Sequence, residues 1–547
     1  MCGIAGCVNL KGNVINALEE RLTFMNKIQE HRGPDGDGRW INSSRSVGLS
    51  HTRLSIIDLT PNASQPMLGE DQNVLTFNGE IYNYKEIKNK LKRTWTFKSD
   101  SDSETILASY NKYKYECLDH LRGMFSFSLW DDKNNSLFCA RDRFGIKPFY
   151  YCILGDNFYF ASEAKTLVPF LDEIRTNKEA LAEYLTFQYT IGEKTLFSGI
   201  KQLLPGHALS IEKGKISTWR YWDVHYDIDH SQDENFYENQ LKELINDSVL
   251  LHLRSDVEVG SYVSGGVDSS LLLNLASKTN ENIKGFHGRF TDYSGYDESN
   301  YAAYASDLAG GDLKIADITS KDFSNNIANV IYHLDFPVAG PGSFPQYMVS
   351  ELASKYLKVV FGGQGGDEIF GGYARYVIAY LEQCLNAAMD GTYKNGNYVV
   401  TIESIIPNLG LLREYKPLIK EFWKEGLFEN MDKRYFRLVD RSNDMKDEIN
   451  WDLINLENVF HDFSSIFNNK SNVGHEAYFD KMTHFDFKCL LPALLHVEDR
   501  MSMAHGIESR VPLLDHEVIE FAAKIPANIK FKDGNMKYML KKVFEKN

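Results

Sequence analysis

Residues 257–278 read VEVGSYVSGGVDSSLLLNLASK, an apolar strand, a glycine-rich turn and a helix in direct succession. Backbone N–H groups and serine hydroxyls at the positive end of such a helix form a cradle for an anion. The turn lacks the lysine of a Walker A loop, so a nucleoside triphosphate would be held by N–H groups, hydroxyls and magnesium. The stretch therefore predicts a nucleotide site suited to releasing pyrophosphate.

The same alternation of strand and helix continues downstream of this stretch. Strand-like runs cover 283–290 and 312–318, with a helical pattern at 299–309 between them. A helical pattern at 345–356 then leads into LKVVFGG, residues 357–363. This alternation predicts an α/β domain with a doubly wound parallel sheet over 223–547, with ligand groups at the carboxyl ends of its strands. Residues 378–480 look helical and name no chemistry.

Residues 2–210 follow another pattern, in which short alternating apolar runs are separated by Gly, Asn and Asp clusters. Examples are VGLSHTRLSII at 47–57 and VLTFNGEIYN at 74–83. Such runs predict antiparallel strands. Helical patterns are few, at 17–29 and after Ser103, so we predict an α+β domain with its sheet sandwiched between helices.

Composition restricts the partners and the compartment. A net charge of −15 argues against nucleic acid, because such binding depends on Lys and Arg neutralising phosphates. The seven cysteines form no C-x-x-C pair, which favours a reducing compartment, and we expect the cytoplasm. No apolar run is long enough to span a bilayer, and the N-terminal residues lack a secretory pattern, so no membrane partner is expected.

Cys2 is a candidate nucleophile. Removal of Met1 would leave an α-amine, with a pKa of about 7.7–8.0, directly beside the thiol. That amine can serve as the base that activates the thiol. On position alone, burial of Cys2 and Cys7 as small strand residues is an equal alternative.

The neighbouring motifs favour the nucleophile. In chain order they are MCGIAG, HRGPDG, HTRLSI, NGEIYN, SDSET, GMFSFSLWD and ARDRFGIKPFYY, within residues 1–151. Together they resemble the glutaminase domain of class II glutamine amidotransferases, an N-terminal nucleophile fold with an αββα sandwich. The resemblance implies that Cys2 attacks the glutamine carboxamide while Asn78 and Gly79 stabilise the oxyanion.

The resemblance also implies a glutamine-binding set. Arg53 would hold the α-carboxylate and Asp102 the α-ammonium. Taken singly, each would be an ordinary solvated charge, and Asn-Gly would be an ordinary hairpin turn. The implied glutamine-binding residues are Arg53, Asn78, Gly79, Glu80 and Asp102.

SGGVDSS resembles the pyrophosphate loop of ATP pyrophosphatases. A second acidic loop, GGQGGDEIFGGY at 362–373, follows the strand LKVVF. We expect Asp268 and Asp367 to meet across neighbouring strand ends and to bind Mg²⁺, as their family counterparts do. The alternative for Asp268 is a helix N-cap. The ATP-binding residues implied are Val263, Ser264, Gly265, Gly266, Asp268, Ser269, Gly362, Gly363 and Lys537.

Residues 490–517, LLPALLHVEDRMSMAHGIESRVPLLDHE, resemble the synthetase signature of the asparagine synthetase family, although the leucines alone would be core. That family joins the two halves in this order. The resemblance implies that ATP adenylylates aspartate and that ammonia from glutamine displaces AMP. The acceptor site implied is Gln364, Asp367 and Arg510. Homodimerisation is expected on this resemblance alone.

The sequence departs from the family at two loop positions and at its end. Gln364 stands where a glutamate base is usual, Gly362 stands where serine is frequent, and the chain ends at Asn547 without the usual basic tail. A neutral amide cannot act as a base. The departures keep open a sister amidotransferase acting on another carboxylate, such as a uronic acid in surface-polysaccharide assembly. A non-catalytic glutamine or ATP sensor is the remaining alternative.

Overall fold

The computed structural model describes residues 2–292, 297–338, 340–389, 416–445, 447–474 and 478–545. The predicted helical stretch 378–480 therefore lies partly outside the described residues. Within the described ranges, no helix is both long and apolar enough to cross a membrane. The helices are α1 Leu18–Ile28, α2 Tyr84–Leu91, α3 Ser103–Tyr113, α4 Lys178–Phe187, α5 Glu234–His252, α6 Val267–Ser277, α7 Ser299–Leu308, α8 Ser320–Leu334, α9 Ser343–Ser354, α10 Gly366–Phe370, α11 Ala374–Met389, α12 Lys416–Phe422, α13 Met431–Val439, α14 Leu456–Phe467, α15 Tyr478–Met503, α16 His516–Ala522, α17 Ala527–Lys530 and α18 Tyr538–Val543.

The N-terminal domain contains two antiparallel sheets of six strands each. Its strands are β1 Gly3–Asn9, β2 Gly36–Ile41, β3 Val47–Arg53, β4 Met67–Leu68, β5 Val74–Ile81, β6 Gly123–Asp131, β7 Ser136–Arg141, β8 Tyr150–Leu154, β9 Asn157–Ala161, β10 Lys201–Gln202, β11 His207–Glu212 and β12 Lys215–Arg220. The first sheet has the order β10-β8-β9-β1-β3-β2, and the second has the order β12-β11-β7-β6-β5-β4.

Alternate residues of β1 face different layers of this domain. Ile4 and Val8 pack into the core between the two sheets. Ala5 and Cys7 pack against α1 on the outer face of the first sheet. Residues of α2 and α3 cover the outer face of the second sheet in the same way. The predicted αββα sandwich is confirmed, and it arises from the period of two along each strand.

The C-terminal domain contains a parallel sheet of five strands in the order β15-β14-β13-β16-β17, with β13 Val259–Tyr262, β14 Lys284–Phe290, β15 Asp312–Ile318, β16 Val359–Phe361 and β17 Glu508–Arg510. Val359 and Phe361 face the core that includes α5, α6 and α7, whereas Val360 faces the core under α9. Helices therefore cover both faces, as predicted. The strand order reverses between β13 and β16, and ligands bind at such a reversal point in open α/β sheets.

Helix α15 is buried along most of its length, although Pro492 lies inside it. Beside it, α11, α13 and α14 contribute to a cluster of aromatic side chains. Phe463 of α14 is fully buried there and contacts the rings of Tyr435, Phe467 and Phe485. Phe187 of the N-terminal domain joins the same cluster. This aromatic cluster therefore forms part of the contact between the two domains.

The two domains also share the main hydrophobic core. Leu54 and Met124 of the first domain lie in one cluster with Leu241 and Leu513 of the second. The predicted end of the first domain, residue 210, falls inside β11, and its sheet continues through β12 to Arg220. We therefore propose that the first domain extends to the end of β12.

Replacing Phe463 by alanine should test the aromatic cluster. The lost contacts and the cavity left behind should lower the free energy of unfolding by about 3–5 kcal/mol. Leu453→Ala is the control, because Leu453 is 74% exposed in the same region and its loss should cost under about 0.5 kcal/mol. Thermal melting followed by circular dichroism measures both, and equal shifts for the two variants would contradict the packing described.

Candidate functional site

Asn78 of β5 contacts the backbone nitrogen of Cys2, which directly precedes β1. The Cys2 nitrogen donates to Asn78 Oδ1 at 3.0 Å. This nitrogen becomes the α-amine if Met1 is removed. The Nδ2 of Asn78 is buried and has no hydrogen-bond partner among the described residues. One amide thus orients the amine with its oxygen and leaves its N–H₂ available to an oxyanion.

The Cys2 thiol lies in a restricted space. Cys2 is only 9% exposed, and its Sγ is 3.9 Å from the carbonyl oxygen of Leu54. Burial raises the pKa of the Cys2 thiol, so the thiol stays protonated at neutral pH. Nucleophilic attack therefore requires a base within reach, which the adjacent α-amine would supply.

Gly79 occupies a position that no other residue fits. Its φ is +152°, and an added Cβ would lie 2.1 Å from the carbonyl oxygen of Met124 on β6. An alanine there would force β5 away from β6. The predicted partners Asn78 and Gly79 are therefore held beside Cys2 by strand geometry.

Arg53 and Asp102 lie at the ends of neighbouring elements. Arg53 ends β3, and its Nη1 donates to the carbonyl oxygen of Thr60 at 3.0 Å. Asp102 precedes α3, is buried, and accepts from the N–H of Ile81 at 2.8 Å. Burial raises the pKa of Asp102 to about 6. Arg53 adjoins the Cys2 region because the preceding Thr52 pairs with Gly3 of β1. Asp102 adjoins it because Ile81 ends the strand that carries Asn78.

Glu80 and Arg510 meet at the contact between the domains. Both are buried, and Arg510 Nη2 lies 3.5 Å from Glu80 Oε1. Arg510 also donates to Glu508 Oε1 at 2.6 Å and to the carbonyl oxygen of His252 at 2.6 Å. The side chain of Arg510 is thus directed at the first domain, with Glu80, and no hydrogen bond joins it to Gln364 or Asp367. Its role at the acceptor site stays a prediction.

The SGG turn follows β13 as expected. Val263 directly follows the strand, and its N–H donates to the carbonyl oxygen of Phe286 at 2.8 Å. Ser264 Oγ and Ser269 Oγ are 3.0 Å apart, and Ser264 and Gly266 are exposed at the turn. Gly265 has a φ of +86°, which favours glycine. The turn presents Ser264 and the start of α6 to solvent, whereas Ser269 is buried behind it.

Lys537 joins the two loops at the strand ends. Its Nζ lies 2.7 Å from Asp268 Oδ2 and 2.7 Å from Asp367 Oδ1. Both carboxylates therefore lie within ion-pair distance of one ammonium group, and their joint binding of Mg²⁺ stays a prediction. The N-cap of α6 is Gly266 and no side chain caps it, so the alternative that Asp268 caps the helix is wrong.

The donor set fits a magnesium ion held jointly with phosphate oxygens. Asp268 Oδ1 is buried without a hydrogen-bond partner among the described residues, and burial raises the pKa of Asp268 to about 6. In the described part of the chain, no group of three or more His, Cys, Asp or Glu side chains could hold a metal alone. Magnesium typically takes one or two carboxylates and completes its shell with phosphate and water.

Glycines allow the two loops to approach each other. An added Cβ on Gly363 would lie 3.2 Å from Asp268 Cβ, and one on Gly366 would lie 2.6 Å from Asp268 Oδ2. At Gly372 it would lie 1.7 Å from Asp367 Oδ1. Gly366 and Gly372 were not predicted as site residues, although the density of glycine in 362–373 indicates a close approach of the backbone.

Gln364 and Gly362 both face a carboxylate from α15. Gln364 Nε2 is 3.4 Å from Glu498 Oε2, and an added Cβ on Gly362 would lie 2.7 Å from Glu498 Oε1. Glu498 lies within the 490–517 motif, and no role was predicted for it. Its contact with Gln364 spans 134 residues and has no local signal.

Arg32 was also missed, and it connects the two sites. Its Nε donates to the carbonyl oxygen of Cys2 at 3.1 Å, and its two Nη atoms donate to the Asp499 carboxylate at 2.9 and 3.1 Å. Arg32 is fully buried and Asp499 is 3% exposed. The quoted motifs HRGPDG and LLHVEDR contain these residues, but neither motif predicts the contact.

Comparisons with known proteins find two families in succession along the chain. The glutamine amidotransferase domain family matches residues 1–222, and the asparagine synthase family matches residues 240–547. Asparagine synthetase [glutamine-hydrolyzing] 1 of Bacillus subtilis is 34% identical over 100% of this chain and 84% of its own length. A putative asparagine synthetase [glutamine-hydrolyzing] of Mycobacterium tuberculosis H37Rv is 32% identical over 95% and 80%. Amidase chry2 of Gibberella zeae is 27% identical over 97% and 84%.

A methyl group at Gly372 should disrupt the crevice between the SGG turn and the loop 362–373, where we predict that ATP binds. In Gly372→Ala, the new Cβ displaces Asp367 and Lys537, whose Cε would lie 2.3 Å away. Loss of these charged contacts should weaken ATP binding about tenfold or more. Gly342→Ala is the control, since nothing lies within 4 Å of its added Cβ. Isothermal titration calorimetry with ATP and magnesium measures both, and equal affinities would contradict the crevice described.

Proposed function

The chain belongs to the glutamine-hydrolysing asparagine synthetase family, and from that premise we propose that it transfers ammonia from glutamine onto the ATP-activated side-chain carboxylate of aspartate. The observation that carries the proposal is the buried pair of Arg32 and Asp499, because it joins the Cys2 region directly to the synthetase domain. Ammonia is mostly protonated in water at neutral pH, so a coupled, enclosed transfer is useful.

In the first domain, Cys2 releases ammonia from glutamine. The α-amine, oriented by Asn78 Oδ1, takes the thiol proton as Sγ attacks the carboxamide carbon, and it returns the proton to the leaving nitrogen as the C–N bond breaks. Water then hydrolyses the thioester to glutamate and the free thiol. The unpartnered Nδ2 of Asn78 and the N–H of Gly79 stabilise the oxyanion that forms. Arg53 and Asp102 hold the two ends of the free amino acid.

In the second domain, ATP activates the acceptor carboxylate. The SGG turn holds the phosphates, and Lys537 neutralises charge on them while it positions Asp268 and Asp367. Bound magnesium would supply further charge neutralisation for the leaving pyrophosphate, with Asp268 and Asp367 as the residues that would hold it. Adenylylation gives the carboxylate AMP as its leaving group, because oxide is too poor a leaving group for direct attack by ammonia.

The compartment and partners follow the same reasoning. All seven cysteines are free, which supports a reducing compartment, and we propose the cytoplasm. The partners are small molecules, namely glutamine, ATP and the acceptor. The net charge of −15 supports the absence of nucleic acid among them. Homodimerisation stays a prediction.

Product analysis tests the function. Met1-processed protein incubated with ATP, magnesium, glutamine and aspartate should form glutamate, pyrophosphate and asparagine in step, because both half-reactions share one ammonia. Mass spectrometry of the amino acids and a coupled pyrophosphate assay give the three rates. In the control variant Cys2→Ser, glutamate formation should fall by at least about 10³-fold.

The acceptor is identified in the same assay. Glutamate without asparagine or pyrophosphate would reject aspartate, and a panel including uronic acids would then identify the carboxylate. An unreactive Cys2 in correctly processed protein, together with no pyrophosphate from any acceptor, would leave a glutamine or ATP sensor as the function.

Glutamine binding should weaken in acid because of Asp102. Burial raises the pKa of Asp102 to about 6, so below that pH its carboxyl is neutral and no longer attracts the α-ammonium of glutamine. The Kd for glutamine should rise roughly tenfold per pH unit below 6 and be flat between pH 7 and about 8. Calorimetry on Cys2→Ser protein isolates binding from turnover. Asp102→Asn should remove the acid dependence; its persistence would exclude Asp102 as the cause.

A further inference from the structure

Glu498 places a carboxylate at the nucleotide crevice from helix α15. Its Oε2 accepts from Gln364 Nε2 at 3.4 Å, and its Oε1 accepts from Ser509 Oγ at 2.5 Å. Gly362 adjoins Oε1, as the 2.7 Å separation from an added Cβ shows. Glu498 is only 5% exposed. The carboxylate therefore lies against residues 362–364, at the carboxyl end of β16.

The proposed reaction requires a proton acceptor at this end of the sheet. When neutral ammonia adds to an activated carboxyl carbon, the new nitrogen carries a positive charge. It must lose a proton before the adduct collapses to an amide, since otherwise ammonia is the better leaving group. A positioned carboxylate that takes a proton in such a step typically contributes 10²–10⁴-fold.

Residues of the second loop itself do not supply that acceptor. Gln364 is a neutral amide, which cannot take a proton at neutral pH. Asp367 is held by Lys537 at 2.7 Å, which commits it to the phosphate side of the crevice. Glu368 is buried and accepts from the Tyr373 hydroxyl at 2.5 Å. Asp268 also adjoins the loop, but its Oδ2 lies 2.7 Å from the same Lys537 Nζ, which commits it to the phosphate side as well. With these groups set aside, Glu498 is the remaining carboxylate against the loop in the described part of the chain.

We propose that Glu498 is the proton acceptor for the nitrogen that attacks the activated carboxylate, an inference that rests on the proposed ligase function. The nitrogen lone pair forms the C–N bond while the carbonyl π electrons move to oxygen. Glu498 takes one N–H proton. The oxyanion then re-forms the carbonyl, the C–O bond to the AMP phosphate breaks, and AMP leaves with the electron pair. Protonated Glu498 returns its proton to solvent.

The sizes of the surrounding residues match this role. Gly362 leaves the space that Glu498 Oε1 occupies, and a larger residue there would displace the carboxylate. Ser509 and Gln364 hold its two oxygens, so its orientation is set from both sides. Burial raises the pKa of Glu498, which strengthens it as a base, while Lys147 from the first domain opposes the shift. Gln364 thus positions the base that it cannot itself provide.

The test separates amide formation from adenylylation. Glu498→Gln keeps the shape of the side chain and removes its basicity. Amide formation should fall by at least about 10²-fold. Exchange of labelled pyrophosphate into ATP, which needs the acceptor carboxylate but no ammonia, should stay within about threefold, as should glutamate formation. Glu183→Gln is the matched control, because Glu183 is another buried glutamate with a raised pKa and it pairs with Lys194 away from the crevice.

Two results with Glu498→Gln would overturn the proposal, and a third would instead overturn the proposed function. Unchanged amide formation in Glu498→Gln would overturn the proposal, and so would a parallel loss of pyrophosphate exchange, which would make Glu498 a support for the nucleotide loops. If the wild type forms no amide with any acceptor in the panel, the proposed function fails instead.

A swap of the two side chains gives an independent measurement. Gln364→Glu in the Glu498→Gln background returns a carboxylate to the same space from the loop. Amide formation in the double variant should recover by at least about tenfold over Glu498→Gln. A double variant no faster than the single one would show that the lost charge was not the cause, and would count against a base at this position.

Discussion

The buried ion pair between Arg32 and Asp499 is the constraint that the rest of the molecule depends on. Removing two charges from water is costly, and it is offset only when the geometry is good and each remaining donor has a partner. Here the guanidinium makes two parallel bonds to the carboxylate, and its Nε donates to the Cys2 carbonyl oxygen. Neither domain can keep this pair satisfied alone. The position of the nucleophile therefore depends on the docking of the second domain.

One turn of α15 extends this dependence to the other site. Successive residues of a helix point about 100° apart, so Glu498, Asp499 and Arg500 reach different surroundings. Glu498 contacts Gln364, Asp499 contacts Arg32, and Arg500 bonds Asp335 and the carbonyl oxygen of Ser162. A helix with buried charges on several sides cannot be stable by itself, so its order comes from both domains. A displacement of this turn would change the contacts of Gln364 and of Arg32 at the same time.

Local patterns predicted the elements, and topology predicted one long-range contact. The strand and helix within 257–278 and the helices at 17–29 and 299–309 were found from periodicity, because their burial repeats with the element. Asp268 and Asp367 could be placed together because carboxyl ends of neighbouring parallel strands share an edge. The direction of the Arg510 side chain could not be predicted, because β17 has only three residues and shows no alternation of apolar and polar positions. Arg32 and Asp499 are 467 residues apart, and no topological rule predicts that they form a pair.

Gly362 has no side chain, and the Glu498 carboxylate fills the space that a side chain there would occupy. For this reason Gln364 considered alone gives the wrong impression that the loop has no carboxylate beside it. The proposed reaction needs one carboxylate beside residues 362–364, and that carboxylate can belong either to the loop or to helix α15. Delivery from the helix requires a small residue at 362 and a donor at 364, and both are present. A departure at one position of the loop therefore has its counterpart 134 residues away, where only the folded structure reveals it. The reaction depends on where the carboxylate lies, and the element that carries it can differ.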